Sequence, residues 1–174
     1  LLGAANDNVF KNALLILILF TLGREVPMEE AVLVTLASGI LILPFFIFSA
    51  TAGQLADKYE KSRMIRWIKL AEVVIMGAGV AALQFGDVYW LLTVLFFMGV
   101  QSSLSGPLKY SILPTLLRKN ELIGGNAFVE AGTFLAILVG TIVGGLTAGW
   151  ENGVNIVAAI VFGLAVIGWI CSYG

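Results

Sequence analysis

The chain has 174 residues, 59% of them apolar and only 12% charged, with a formal net charge of −1. A soluble domain averages about 25% charged residues, so no fold in water would hide this much hydrocarbon, and without a basic face no nucleic-acid partner is expected. The lack of histidine and the single cysteine, Cys171, exclude an internal disulfide, a thiolate metal cluster and histidine acid–base chemistry.

Six apolar runs fill the sequence at about residues 1–22, 31–56, 65–85, 88–110, 123–148 and 154–173. A helix crosses a bilayer in about 20 residues, and backbone groups in hydrocarbon must be paired within their own segment. The expectation is therefore an all-α membrane protein with six transmembrane helices. Barrel strands are excluded, because they need only about 10 residues and alternate in polarity. The chain starts at Leu1 and stops just after an apolar run, which reads as a piece of a longer protein; no cleavable signal peptide is visible.

The first segment is unusually polar. Asp7 and Lys11 stand four apart, as do Asn8 and Asn12, and all four fall within an arc of about 140° on a helix. Each ionised group in a bilayer costs at least about 2.5 kcal/mol, so this arc points to partners or to a wet cavity. A ligand site and a self-neutralising Asp7/Lys11 pair both satisfy that demand. Asp7 and Lys11 could engage the ammonium and phosphate of a zwitterionic headgroup, respectively.

Eight of the ten cations cluster on two connections and the adjoining helix ends. Lys58, Lys61, Arg63, Arg66 and Lys69 follow the second segment, and Lys109, Arg118 and Lys119 follow the fourth. The other three connections carry Arg24 against Glu25, Glu29, Glu30, Asp87 and Glu151. Short basic loops stay in the cytoplasm, which places both ends of the chain there.

Lys69 and Glu72, three apart in the third segment, are expected to pair with each other as a structural feature. The fourth segment contains Gln101, Ser102, Ser103 and Ser105, then Gly106-Pro107, which could interrupt the regular helix before Lys109. Lys109 would either present its ammonium to a phosphate or snorkel to the interface. In the fifth segment Asn126, Glu130 and Thr133 share one face with Gly140 and Gly144. Glu130 enters about 12 Å below the basic surface at 1.5 Å per residue, within reach of a lipid amine, a coupling cation or Lys109. Gly140, Gly144, Gly145 and Gly149 repeat the small-x-x-x-small spacing that lets helices approach closely in lipid. Trp67, Tyr89, Trp90, Trp150 and Tyr173 read as interfacial anchors.

Dividing the chain near residue 87 gives two groups of three helices with opposite orientation. Inverted three-plus-three repeats are a transporter building block, and the polar first and fourth segments occupy equivalent places in one.

The connection Gly53-Gln-Leu-Ala-Asp57-Lys58-Tyr-Glu-Lys61-Ser-Arg63 resembles the signature loop between helices 2 and 3 of the major facilitator superfamily. Glu60 departs from the usual glycine and Ser62 from a usual cation. The resemblance implies a gating loop of Gly53, Asp57, Lys58, Lys61 and Arg63. Gly53 would permit close helix approach, and Asp57 would latch onto backbone N–H groups or a cation of an opposing half. NDNVFKNALLILI, LPFFIFSATAGQLADKYEKSRMIRWIKLAE, GPLKYSILP and GGNAFVEAGTFLAILVGTIVGG together resemble the bacterial lysophospholipid transporters of that superfamily. Some members of that group are fused to acyltransferase and acyl-carrier-protein ligase domains.

That likeness implies an N-terminal six-helix half whose C-terminal six-helix partner is absent from the chain. It also implies transport of lysophospholipid such as lysophosphatidylethanolamine across the bacterial inner membrane for reacylation. The implied partners are membrane lipids and a fused or associated acyltransferase. Candidate substrate-binding residues are Asp7, Asn8, Lys11, Asn12, Gln101, Lys109, Asn126 and Glu130. No cofactor or metal is expected, and no G-x-S-x-G elbow points to an enzyme. The alternatives are a major facilitator exporter of another amphipathic molecule and a non-transporting anchor for fused acyl-transfer enzymes.

Overall fold

The computed structural model describes residues 1–173, leaving aside the side chains of Arg24 and Glu25, so the part those two play in the charge count lies outside the described residues. Six helices make up almost all of it: α1 (Leu2–Phe20), α2 (Glu30–Lys58), α3 (Lys61–Phe85), α4 (Val88–Leu116), α5 (Leu122–Ala148) and α6 (Gly153–Ile170). All six are long and apolar enough to cross a membrane. Short 3₁₀ turns follow α1 (Leu22–Glu25) and α6 (Cys171–Tyr173).

The helix ends follow local chemistry. Gly86 closes α3 in the left-handed region (φ 70°), and the next residue, Asp87, opens α4 by accepting the Trp90 N–H at 3.0 Å. Two residues thus make the whole turn where the two groups of three helices meet. Glu60 starts α3 by accepting the N–H groups of Ser62 (3.0 Å) and Arg63 (2.9 Å), which gives the non-glycine at this position a capping role. Those backbone bonds, that of Arg63 first, hold the Glu60 carboxyl below its ordinary value.

The possible interruption at Gly106-Pro107 does not occur: α4 runs on through Pro114 to Leu116. Neighbouring hydroxyls bond back into the helix around both prolines: Ser105 to the Ser102 carbonyl (3.0 Å), Ser111 to that of Leu108 (3.0 Å) and Thr115 to that of Ile112 (2.6 Å). Such bonds help a membrane helix tolerate a missing N–H.

The core lies between α1, α3, α4 and α6, where Phe10, Leu14, Ile18, Met76, Leu91, Leu95, Met98 and Val161 are buried. The two most extensive helix pairings are α1 with α5 and α2 with α4; α3 with α6 follows. Exchanging α1, α2 and α3 for α4, α5 and α6 maps the first pairing onto the second and α3/α6 onto itself, the relation an inverted repeat requires. Apolar helices gain little by leaving lipid for one another, so close backbone approach supplies the attraction. At Gly140 and Gly144 of α5 an added Cβ would run into the backbone of Ala5 and Val9 of α1. At Gly99 of α4 it would meet the Leu41 carbonyl of α2. Gly145 has nothing within 4 Å of such a Cβ, and Gly149 has only the Leu146 carbonyl oxygen of its own helix at 3.8 Å, so the second small-residue pair does not pack helices here.

Candidate functional site

The polar residues of α1 fan out to three neighbouring helices. Asn6 turns to α3, where its Nδ2 donates to Glu72 Oε1 at 3.1 Å. Asp7 turns to α4 and accepts from the Ser102 hydroxyl through Oδ2. Asn12 turns to α5, donating to Thr141 Oγ1 at 3.2 Å as well as to the Asn8 carbonyl of its own helix at 2.8 Å. Asn8 bonds the Ala4 carbonyl at 2.8 Å. Lys11 is half-buried, and among the described residues it forms no ion pair, so the self-neutralising Asp7/Lys11 pair is not made.

Glu72 is the centre of the buried network. Its side chain is 1% exposed, and Oε2 accepts from Lys69 Nζ at 2.6 Å and from Gln101 Nε2 at 3.2 Å. The expected Lys69/Glu72 pair therefore forms, but it does more than neutralise itself: it ties α1, α3 and α4 together through one carboxylate. Gln101, 5% exposed, continues the network, since its Oε1 lies 3.2 Å from Ser102 Oγ, the hydroxyl that serves Asp7. Two amide donors and one ammonium satisfy Glu72, whereas Asp7 has no cation within 4.0 Å among the described residues. Asp7 Oδ1 is shut away from solvent without any hydrogen-bond partner, and so is Asn6 Oδ1.

A second polar group lies between α4 and α5. Lys109 Nζ is 3.6 Å from Glu130 Oε1 and 3.3 Å from Thr133 Oγ1, and it sits 4.8 Å from the Tyr110 ring centroid. Both charged side chains are open, at 34% and 41% exposure. Asn126, one turn before Glu130, is exposed.

The expected site residues thus separate into two sets. Asp7 and Gln101 are joined by Ser102; Lys109 and Glu130 join each other. Sequence reading missed Asn6, Ser102, Thr141 and Glu72 as members. The signal for Glu72 was present, because a carboxylate eleven residues inside an apolar helix needs more than one partner.

At the junction of α2 and α3, Asp57 and Lys58 at the end of α2 and Arg63 at the start of α3 are exposed, and Lys61 is half-buried. Among the described residues Asp57 makes no ion pair, while Lys58 lies 5.6 Å from the Tyr59 ring. A Cβ at Gly53 would meet nothing within 4 Å among the described residues of this bundle.

Six helices of spanning length with symmetric pairings and charged groups between them define the class: a polytopic, all-helical membrane protein. The family description "Major Facilitator Superfamily" matches residues 3–173, and the chain belongs to that superfamily. It is similar to the Lysophospholipid transporter LplT of Photorhabdus laumondii subsp. laumondii, with 29% identity over 129 residues. It is also similar to the protein of that name from Escherichia coli O1:K1, with 32% identity over the same length. Each alignment covers 74% of this chain and 31% of the relative, so the chain spans about a third of the length of the curated relatives it matches. No solved structure matches it.

Proposed function

We propose that this chain is the N-terminal six-helix half of a lysophospholipid carrier, which a second six-helix half completes. Asp7 carries the reading. It is a carboxylate inside an apolar helix with no cation beside it and one oxygen without a partner. Holding such a charge in a bilayer costs at least about 2.5 kcal/mol, an outlay with no return in a simple anchor. The printed name of the relatives supplies the substrate class.

Alternating access would come from rocking of the two halves around a site near the midplane. The ammonium of a lysophosphatidylethanolamine headgroup would meet Asp7 or Glu130. Its phosphate would meet Lys11 or Lys109, with Asn8, Asn12, Gln101 and Asn126 completing the polar lining. The single acyl chain would stay in an opening toward lipid. Asp57, with Gly53, Lys58, Lys61 and Arg63 around it, would latch the closed state against the other half. The basic loops and both ends of the chain would lie in the cytoplasm of a bacterium, with the helices in its inner membrane. Reacylation would fall to a fused or associated acyltransferase.

The test is transfer of labelled lysophosphatidylethanolamine into proteoliposomes by the full-length protein and by Asp7→Asn. Transfer is expected to vanish in the variant with membrane insertion unchanged. A wild-type transfer rate in Asp7→Asn overturns the assignment.

A further inference from the structure

At the end of the bundle that carries the basic connection after α2, the start of α3 and the end of α6 enclose a cleft of about 210 Å³. Arg63, Arg66, Trp67 and Leu70 line one wall; their spacing puts all four on one face of α3. Trp169 and Tyr173, four apart, form the other wall. The wall residues are held in place. The Arg66 guanidinium lies 4.9 Å from the Tyr173 ring centroid, and Tyr173 meets Trp169 edge to face at 5.6 Å.

Three features of this cleft are unspent. Among the described residues neither Arg63 nor Arg66 has a carboxylate within 4.0 Å. Glu60 lies near enough to feel Arg66, but its two oxygens are engaged by the backbone N–H groups of Ser62 and Arg63. The Trp169 indole N–H is withdrawn from solvent and has no acceptor. Two guanidinium groups and an indole donor, in a cleft walled by aromatic rings, ask for a strong multivalent acceptor of negative charge. Tryptophan and tyrosine at helix ends mark the depth at which lipid headgroups lie.

We propose that this cleft binds the phosphate of an anionic phospholipid from the surrounding leaflet, between Arg63, Arg66 and the Trp169 N–H. The site is separate from the Asp7 and Lys109 groups and needs none of the transport reading. It would hold the α3/α6 edge against the membrane surface, beside the connection proposed as the gate.

The probe is brominated phosphatidylglycerol against brominated phosphatidylcholine, read by tryptophan quenching in the full-length protein reconstituted in phosphatidylcholine vesicles. Wild type is expected to prefer the anionic lipid. Arg66→Gln is expected to reduce that preference about fivefold, in line with the contribution of one basic residue at an anionic surface. Arg66→Lys should retain part of it. Arg118→Gln, which removes an exposed cation from the other basic connection, should leave it unchanged. Four results would overturn the proposal: no anionic preference in wild type, as when another segment of the full chain fills the cleft; an undiminished preference in Arg66→Gln; an equal loss in Arg118→Gln; or displacement by soluble glycerol 3-phosphate, which would make free phosphate the ligand.

Discussion

Gly144→Ala adds one methyl group at the closest approach of α1 and α5. The new Cβ would fall against the carbonyl oxygen, Cα and carbonyl carbon of Val9, all backbone atoms that no rotamer change can move aside. An ordinary contact needs about 3.5 Å or more, so the two helices must separate by about 1 Å. Overfilling a packed contact costs about 1–3 kcal/mol. The same separation stretches the Asn12–Thr141 hydrogen bond, 3.2 Å long at present, whose kind contributes about 0.6 kcal/mol within membranes. The expected loss is therefore about 2–4 kcal/mol, and Gly145→Ala is the internal control. Its Cβ would meet nothing within 4 Å, and alanine is the better helix former, so it should change stability by less than about 1 kcal/mol and with the opposite sign. Unfolding of the full-length protein from bilayer-like micelles by a graded denaturing detergent reads both. If Gly144→Ala unfolds with Gly145→Ala, backbone approach is not what joins α1 to α5.

Glu72→Gln leaves Lys69, only 20% exposed, without its counter-charge, and should cost about 3–5 kcal/mol in the same assay. Glu72→Gln with Lys69→Met should recover a good part of that, and failure to recover would show that the Asn6 and Gln101 bonds matter more than the ion pair. Glu60 is a carboxylate whose folded value is depressed, so its cap is fully present above the ordinary glutamate value of 4.5 and fades only as pH falls through the lower folded value. Amide exchange at Ser62 and Arg63 should therefore accelerate in Glu60→Ala at neutral pH, and the difference from wild type should close in acid. Lys109→Gln should slow lysolipid transfer, and the reversal Lys109→Glu with Glu130→Lys should restore insertion but not transfer. A full rescue of transfer would make the Lys109/Glu130 contact a structural pair and remove both residues from the substrate site.

The number and order of the helices were legible because each is an apolar run of spanning length, and membrane backbone chemistry leaves one way to pair it. Their contacts were legible only where one residue type can do the job, as at Gly140 and Gly144. Gly145 belongs to the same small-residue repeat, yet a Cβ there would meet nothing within 4 Å, because small-residue spacing says that a helix can be approached and not that it is. The helix 1 arc shows the limit more sharply. Periodicity grouped Asp7, Asn8, Lys11 and Asn12 correctly on one side, but what each side chain reaches depends on helices placed by the rest of the fold. Asn6 fell outside the arc because it faces α3, where Glu72 waits.

The two polar groups differ in a way that bears on motion. The Glu72 group is closed: its carboxylate takes bonds from α1, from α3 and from α4, and all three would have to part for it to open. Parting them would strand a buried charge at a cost of several kcal/mol, so α1, α3 and α4 should move as one body through any transport cycle. The Lys109/Glu130 group is open, with both side chains more than a third exposed and their contact at 3.6 Å long enough to exchange for another partner. On the proposed transport reading, a bundle that rocks without coming apart would use both kinds of contact, a sealed one to keep its helices together and a loose one to trade for a headgroup. Asp7 stands between them, tied to the sealed network through Ser102 by one oxygen and left with the other unpartnered. That is the position from which binding a cationic group would be felt by the whole bundle.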